Sequence, residues 1–351
     1  MENKKLQIAL YDGCQYFCTF CMYEHAKDKN PLSKKNIMTD EDWYKLFASA
    51  YESGYRTLNI AGRGEPTLHP SFGRIIARAY KLGFRISLLT NGLNDPVVIK
   101  VLPLLQNIRI NFSALNEHEM QAIHKPLPGF SFDRCIASIK NILRAIEDKQ
   151  YDIVLYANYV LTTQSMAGAF TFPERVNSFF SSELKTRKMV VSYWHFIDYV
   201  KNKSDDLALS YEELQEFLSA ARAHSHEKFL LENTDLLKFI DQTEDLLRKI
   251  EPFAKSKGDA HQRSGQTQYT CEAHKTVMTV DGNGDCYGCY SPFRTVNGLS
   301  AKEDPFFFGN VRSQESKEIL RDRKGFNPMM DVSNKYWKPC LTCVAKGPVK
   351  E

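Results

Sequence analysis

Three cysteines crowd one short stretch: Cys14, Cys18 and Cys21 stand in the run YDGCQYFCTFCMYE, directly after the first apolar segment. A cubane iron–sulfur cluster takes four ligands. This run supplies three, which leaves one iron for an exogenous ligand and so points to chemistry rather than bracing. Zinc is the competing reading, since it also takes thiolates, but structural zinc closes its shell with paired C-x2-C or Cys/His ligands. Only His25 stands near enough to help. A disulfide cluster would need an oxidising compartment. The N-terminus MENKKLQIALYDG carries no signal-peptide core, so a cytoplasmic location is expected.

The other cysteines repeat the theme. Of nine in 351 residues, eight fall in two groups: the opening triplet, then Cys271, Cys286, Cys289, Cys340 and Cys343, with Cys135 alone between them. Grouping of this kind reads as metal ligation. No apolar run reaches the length of a membrane helix, so no membrane is expected. The net charge of +4 is small and scattered, which argues against nucleic acid as a partner.

From Lys5 to about Asp198 the chain alternates short apolar runs with amphipathic ones. Strands are expected at Leu6–Tyr11, Thr57–Ala61, Arg85–Thr90, Ile108–Phe112, Ile153–Val160 and Met189–Phe196, each rich in Ile, Val, Leu or Tyr. Helices are expected at Glu41–Ser53 after a Thr39 cap, Phe72–Leu82, Pro96–Leu105, Phe132–Glu147 and Phe172–Leu184. Six βα repeats imply a parallel sheet with right-handed crossovers. They are too few for a closed eight-stranded barrel, so the expected fold is α/β, an open partial (β/α)6 barrel of TIM type. Active sites in such folds lie at the C-terminal ends of the strands, where the triplet falls. We assign 1–200 to the barrel and 201–265 to a helical linker with a Ser210…Glu213 capping box. The remainder, 266–351, is a small cysteine-rich hairpin and helix domain.

With Phe20 before its last cysteine, the triplet reads C-x3-C-x-Φ-C and resembles the signature of the radical S-adenosylmethionine (SAM) enzymes. A second landmark, NIAGRGEPTLHP, follows the second strand. The family places a Gly-Gly-Glu-Pro-like segment here; this chain has Arg63-Gly64-Glu65-Pro66, with Gly62 standing in for the first glycine. The resemblance implies that Gly62, Gly64 and Glu65 hold the amino group of the methionine moiety. Asn91 in LLTNG, Ser113 near the ribose and Asn158 near the carboxylate continue it, with Phe20 and Met22 flanking the adenine. Tyr156, Asn158 and Val160 share one strand face and Tyr159 the other.

The second cysteine group resembles the SPASM or shorter twitch extensions of this family. Cys271 precedes a strand at Thr276–Val280, an Asp-Gly turn signals a hairpin, and Cys286 and Cys289 lie on the return strand, before a short helix near Glu315–Leu320. The resemblance implies a second [4Fe–4S] cluster on Cys271, Cys286, Cys340 and Cys343, leaving Cys289 spare; a zinc ribbon is the alternative. Two [4Fe–4S] clusters and SAM are then the cofactors. The expected partner is a one-electron reductant of flavodoxin or ferredoxin type.

What such an enzyme acts on is less written in the residues. Asp12, Arg63, Tyr156, Trp194 and His195 are candidate walls, with His195 as a possible base. The first strand begins near Leu6, leaving no room for a peptide-leader domain. The expected activity is therefore two-electron oxidation of a small polar molecule, a sugar, cyclitol or nucleoside, with the auxiliary cluster as electron acceptor. A peptide or protein maturase is the alternative, as is an epimerase in which Cys289 donates a hydrogen atom. A non-enzymatic zinc module comes last.

Overall fold

The computed structural model describes residues 4–21, 38–62, 64–187, 189–195, 211–254, 268–270, 276–289, 306–320 and 329–331. The six expected strands form at β1 (Lys5–Ile8), β2 (Thr57–Ile60), β3 (Arg85–Thr90), β4 (Asn107–Asn111), β5 (Val154–Leu161) and β6 (Val190–His195). All pair in parallel, in chain order. Between them run α1 (Asp40–Glu52), α2 (Phe72–Lys81), α3 (Asp95–Val101), a single helical turn α4 (Glu117–Glu119), α5 (Phe132–Lys149) and α6 (Phe172–Phe179). Thr39 caps α1 as expected: its hydroxyl accepts from the Asp42 N–H, and the Asp42 carboxylate accepts from the Thr39 N–H. The expected helix at Pro96–Leu105 divides, because Pro103 cannot continue the ladder; α3 gives way to a 3-10 turn at Leu102–Leu104.

Register separates the two faces of this sheet. One carries aligned apolar rows such as Ile8, Ile60, Leu88, Ile108 and Leu155, all buried. They pack against Trp43, Phe47, Ile76, Val98, Ile139 and Phe172 of the surrounding helices. Burial of that face drives the barrel to close around the other one. The inner face is polar. Its rows read Gln7–Asn59–Ser87–Asn107, then Leu89–Arg109–Tyr156, then Asn111–Asn158–Ser192 toward the strand ends.

The C-terminal hairpin does something periodicity could not disclose. β8 (Val277–Val280) pairs in parallel with β1, Leu6 against Met278 and Ile8 against Val280. β9 (Asp285–Tyr287) and β10 (Phe307–Asn310) follow antiparallel, completing a nine-stranded sheet of order β10-β9-β8-β1-β2-β3-β4-β5-β6. A separate two-stranded sheet joins β7 (Gln268–Thr270) to β11 (Met329–Asp331). At the far edge β6 is covered by α8 (Lys228–Asn233) and α9 (Leu236–Ala254), and α7 (Tyr211–His224) packs on α9. There Asp235 accepts from the Tyr193 N–H at 2.9 Å and the Ser192 hydroxyl at 2.8 Å, and Phe239 packs on Tyr193. An edge closed in this way offers no strand for pairing with another chain. A last helix, α10 (Ser316–Leu320), lies against α1 with an ion pair from Lys317 to Glu52. Ser210 of the expected capping box lies outside the described residues.

Candidate active site

The C-terminal ends of β1 to β5 converge, and the loops leaving them build the site. The loop after β1 holds the cysteine triplet, folded tightly enough that the Cys21 N–H bonds the Cys18 carbonyl at 2.9 Å. Each of the first two sulfurs meets an N–H group. Cys14 Sγ accepts from the Tyr16 N–H at 3.4 Å, with the Asn91 amide nitrogen 3.9 Å away, and Cys18 Sγ lies 3.2 Å from His124 Nδ1. Burial, then the neighbouring Glu65 charge, pushes the Cys14 thiol up to about 12. Burial and the other two cysteines raise Cys18. Buried thiols with raised pKa values stay protonated unless a cation or metal takes up the charge of the thiolate.

The loop after β2 is pressed onto the first loop, which gives its glycines their meaning. A Cβ on Gly64 would lie 2.4 Å from the Tyr11 carbonyl oxygen and 2.5 Å from that of Gly13, and one on Gly62 would lie 2.3 Å from Ala9 Cβ. These are contacts within the chain, so the glycines let the second loop seat itself against the cysteine loop. Glu65 closes the junction. Its N–H donates to the Gly13 carbonyl at 2.9 Å. Its buried carboxylate accepts from the Thr67 N–H and hydroxyl, the Thr90 hydroxyl and the Asn91 N–H, at 3.2, 2.6, 2.7 and 2.8 Å. Burial raises its pKa although those four bonds oppose the shift. Glu65 is thus a clasp across the ends of β2 and β3 that fixes the backbone around it. Asn91, held by that clasp, donates to Gln15 at 3.0 Å and reaches toward Cys14.

At the end of β4, the Ser113 hydroxyl accepts from the Val160 N–H at 3.1 Å, tying β4 to β5. Asn158 lies in register with Asn111, and the side-chain oxygens of both are buried without a hydrogen-bond partner among the described residues. Buried acceptors of this kind call for a polar ligand or water. Below that row Arg109 stacks on Tyr156, its guanidinium carbon 4.1 Å from the ring centroid, and donates to Ser192 at 3.3 Å. Burial lowers its pKa, yet a guanidinium stays charged. Nothing in the periodicity singled Arg109 out; only the register places it on the inner face.

His124 was also missed, since it stands outside every motif. Burial takes its pKa down to about 4. Phe20 stands edge-on to it, with ring centroids 5.7 Å apart.

His195 pairs in register with Leu161, whereas Trp194 pairs with Val160 and continues the inner rows. Position 195 therefore falls in the other register set from the inner rows. Cys286 is fully buried on β9, where its thiol donates to the Gly284 carbonyl. Cys289, half-buried at the hairpin end, accepts through its carbonyl from Thr279, whose position aligns with Gln7 on the inner face. Met22, Arg63, Cys271, Cys340 and Cys343 lie outside the described residues.

Residues 8–163 match the family model described as the radical SAM superfamily, and residues 271–344 match that of an iron–sulfur cluster-binding domain, SPASM. The chain belongs to the radical SAM superfamily. It is similar to the S-adenosylmethionine-dependent nucleotide dehydratase of Flammeovirga pacifica, 23% identical over 228 residues that cover 64% of this chain and 74% of the relative. It also resembles the GTP 3′,8-cyclase of Aquifex aeolicus, 33% identical over 127 residues, 34% of this chain and 38% of the cyclase. Among solved structures, SuiB of Streptococcus suis bound to its precursor peptide SuiA superposes with a TM-score of 0.61 at 16% identity, covering 93% of this chain and 66% of SuiB. Native anSMEcpe with bound AdoMet gives 0.60 at 17% identity, over 96% of this chain and 88% of that one. These likenesses show the fold, a partial barrel shared within the superfamily.

The radical SAM cofactors are therefore [4Fe–4S] clusters and S-adenosylmethionine. The described residues fit them. The donors are soft thiols, met by N–H groups as thiolates require, and unpartnered buried acceptors lie beneath the strand ends. No three Cys, His, Asp or Glu side chains among the described residues are gathered around one point. A cubane, unlike a single zinc ion, spreads its ligands over separate irons. No helix among the described residues is long and apolar enough to cross a membrane.

Proposed function

We propose that this radical SAM enzyme removes a hydrogen atom from a small polar molecule carrying a phosphate or carboxylate, a nucleotide being the favoured class, and oxidises it by two electrons. The observation that carries the reading is the inner face: polar rows with one half-buried cation, Arg109, stacked on Tyr156 in the middle of the barrel. Asp235 offsets part of that charge through the Ser192 hydroxyl, and with no direct ion pair to Arg109 among the described residues the remainder is available to an anionic ligand. The sequence relatives that act on nucleotides support the same class.

When bound, the clusters and S-adenosylmethionine supply the 5′-deoxyadenosyl radical that takes the hydrogen, and an acceptor for the electron that follows. The chain's own work is placement. In this reading Cys14, Cys18 and Cys21 ligate the first cluster, and Cys271, Cys286, Cys340 and Cys343 the second. Glu65 and Asn91 lock the loops and, with Gly62, Gly64, Asn158, Ser113, Phe20 and Met22, border the S-adenosylmethionine. Support for oxidation comes from β8, which brings the hairpin of Cys286 against β1 and so beside the first cluster's loop. A flavodoxin or ferredoxin would serve as reductant.

The test is anaerobic turnover with nucleotides deuterated at the ribose. Deuterium in 5′-deoxyadenosine together with a product short of two hydrogen atoms is the expected result. A product short of water would replace oxidation by dehydration, and no transfer from any nucleotide or phosphorylated sugar would sink the class. A second reading is epimerisation with Cys289, half-buried at the hairpin end, as hydrogen donor. It requires that Cys289→Ala abolish product while both clusters remain loaded.

A further inference from the structure

His124 is held between the cysteine loop and the strand end that borders the S-adenosylmethionine site, and the way the chain delivers it there is unusual. After α4 the helix widens into a π-turn, Met120–His124, closed by Lys125 in the left-handed region at φ 44. A wide turn of this kind is rare and gathers at functional sites, and a left-handed lysine costs energy that something must repay. The repayment is a short antiparallel seam with the cysteine loop. The Phe17 N–H donates to the His124 carbonyl at 3.0 Å, the Thr19 N–H to that of Ile123 at 2.8 Å, and the Leu127 N–H to that of Gln15 at 2.9 Å. Tyr16 and Pro126 complete it as a bridge pair.

The seam puts the imidazole in contact with both sides. Nε2 lies 3.1 Å from the backbone nitrogen of Ser113, and Nδ1 lies 3.2 Å from Cys18 Sγ. A backbone N–H can only donate, so Nε2 carries the lone pair and the ring proton sits on Nδ1, aimed at the sulfur. His124 is thereby a donor to Cys18 and not a ligand in waiting. The ring is buried, with Tyr16 at 5.4 Å and Phe20 at 5.7 Å between centroids, so little water competes for that proton.

We propose that His124 is a positioning residue that donates one hydrogen bond to the Cys18 thiolate of the first cluster, raising the cluster's reduction potential, while its other nitrogen locks that loop to the end of β4. Hydrogen bonds to ligand sulfurs are among the levers that set iron–sulfur potentials, because they favour the more negative, reduced state. The proposal rests on the triplet as cluster ligands and is independent of which substrate the enzyme takes.

The test needs no turnover. In the reconstituted full chain, the first cluster is identified as the one whose EPR signal changes on adding S-adenosylmethionine, and its potential is read by EPR-monitored redox titration. His124→Leu is expected to keep its iron and sulfide but titrate at a more negative potential. His124→Asn, whose amide can place an N–H near the Nδ1 position, is expected to titrate close to the wild type. Wild-type protein labelled with 15N-histidine is expected to show a weak 15N coupling on the same signal, which decides the matter if the leucine variant fails to fold. An unchanged potential in a fully loaded leucine variant overturns the proposal, and so does the absence of histidine coupling in the wild type. A wild-type chain that loads no cluster at the triplet overturns it by removing the ligands themselves, a result distinct from failure of the nucleotide reading.

Discussion

Gly64 and Glu65 show how a motif also works on its own chain. The Cβ that Gly64 lacks would fall among backbone atoms of Tyr11, Asp12 and Gly13, which cannot rotate out of the way. Gly64→Ala is therefore expected to cost about 3 kcal/mol and to lower iron content, measured by melting and by iron counting on the same sample. Glu65→Gln leaves the fold's outline intact but takes the charge from a carboxylate with four donors around it. A loss of about 1–3 kcal/mol is expected; a variant as stable as wild type would show that those bonds matter little. Arg109→Met keeps the packing on Tyr156 and removes the cation. Losing a charged hydrogen bond of about 1.5–3 kcal/mol raises KM roughly 10- to 100-fold. An equal effect on an uncharged substrate analogue would count against an anion site.

At the scale of elements, the segment between β4 and α5 acts as a bracket. Glu117 of α4 accepts from the Phe132 N–H at the start of α5 at 2.6 Å, and from the Gln121 side chain at 2.7 Å. These bonds, that from Gln121 foremost, lower its pKa from the ordinary 4.5. A carboxylate with a depressed folded pKa contributes stability above its unfolded value, and that contribution is lost as pH falls through the folded one. The gap in melting temperature between the metal-free wild type and Glu117→Gln should thus be open above about pH 4.5 and narrow below it. A gap that stays constant would remove the charge from the account. The π-turn beyond Glu117 had no signature in the residue pattern, because a π-turn widens a helix without changing which residues are apolar.

Over the whole molecule, the nine-stranded sheet brings the hairpin of Cys286 beside the strand that leads into the first cysteine loop. β8 lies on the edge of β1 that the first six strands leave open, and Met278, fully buried, is aligned with Leu6. Met278→Ala is expected to cost about 2–5 kcal/mol and to shift the melting of the barrel as one transition. Early release of a C-terminal fragment, with the barrel melting unchanged, would show the hairpin to be an independent unit instead.

The residues alone pointed to the superfamily and the class of fold. Three closely spaced thiols select a cluster, and alternating apolar and amphipathic runs select a βα sheet, because both depend on neighbours within a few positions. Strands appeared within a few residues of where alternation put them, as at Arg85–Thr90, and Thr39 capped α1 as its hydroxyl required. Contacts between distant positions were decided by the tertiary structure. Cys18 and His124 are 106 residues apart, Asn91 and Cys14 are 77 apart, and Met278 meets Leu6 from near the opposite end of the chain. No periodicity encodes such pairs, since they follow from how strand order and register bring loop ends together. The sequence thus singled out Cys14, Cys18 and Cys21 by their spacing, and the folded chain decided what hydrogen-bonds to the first two.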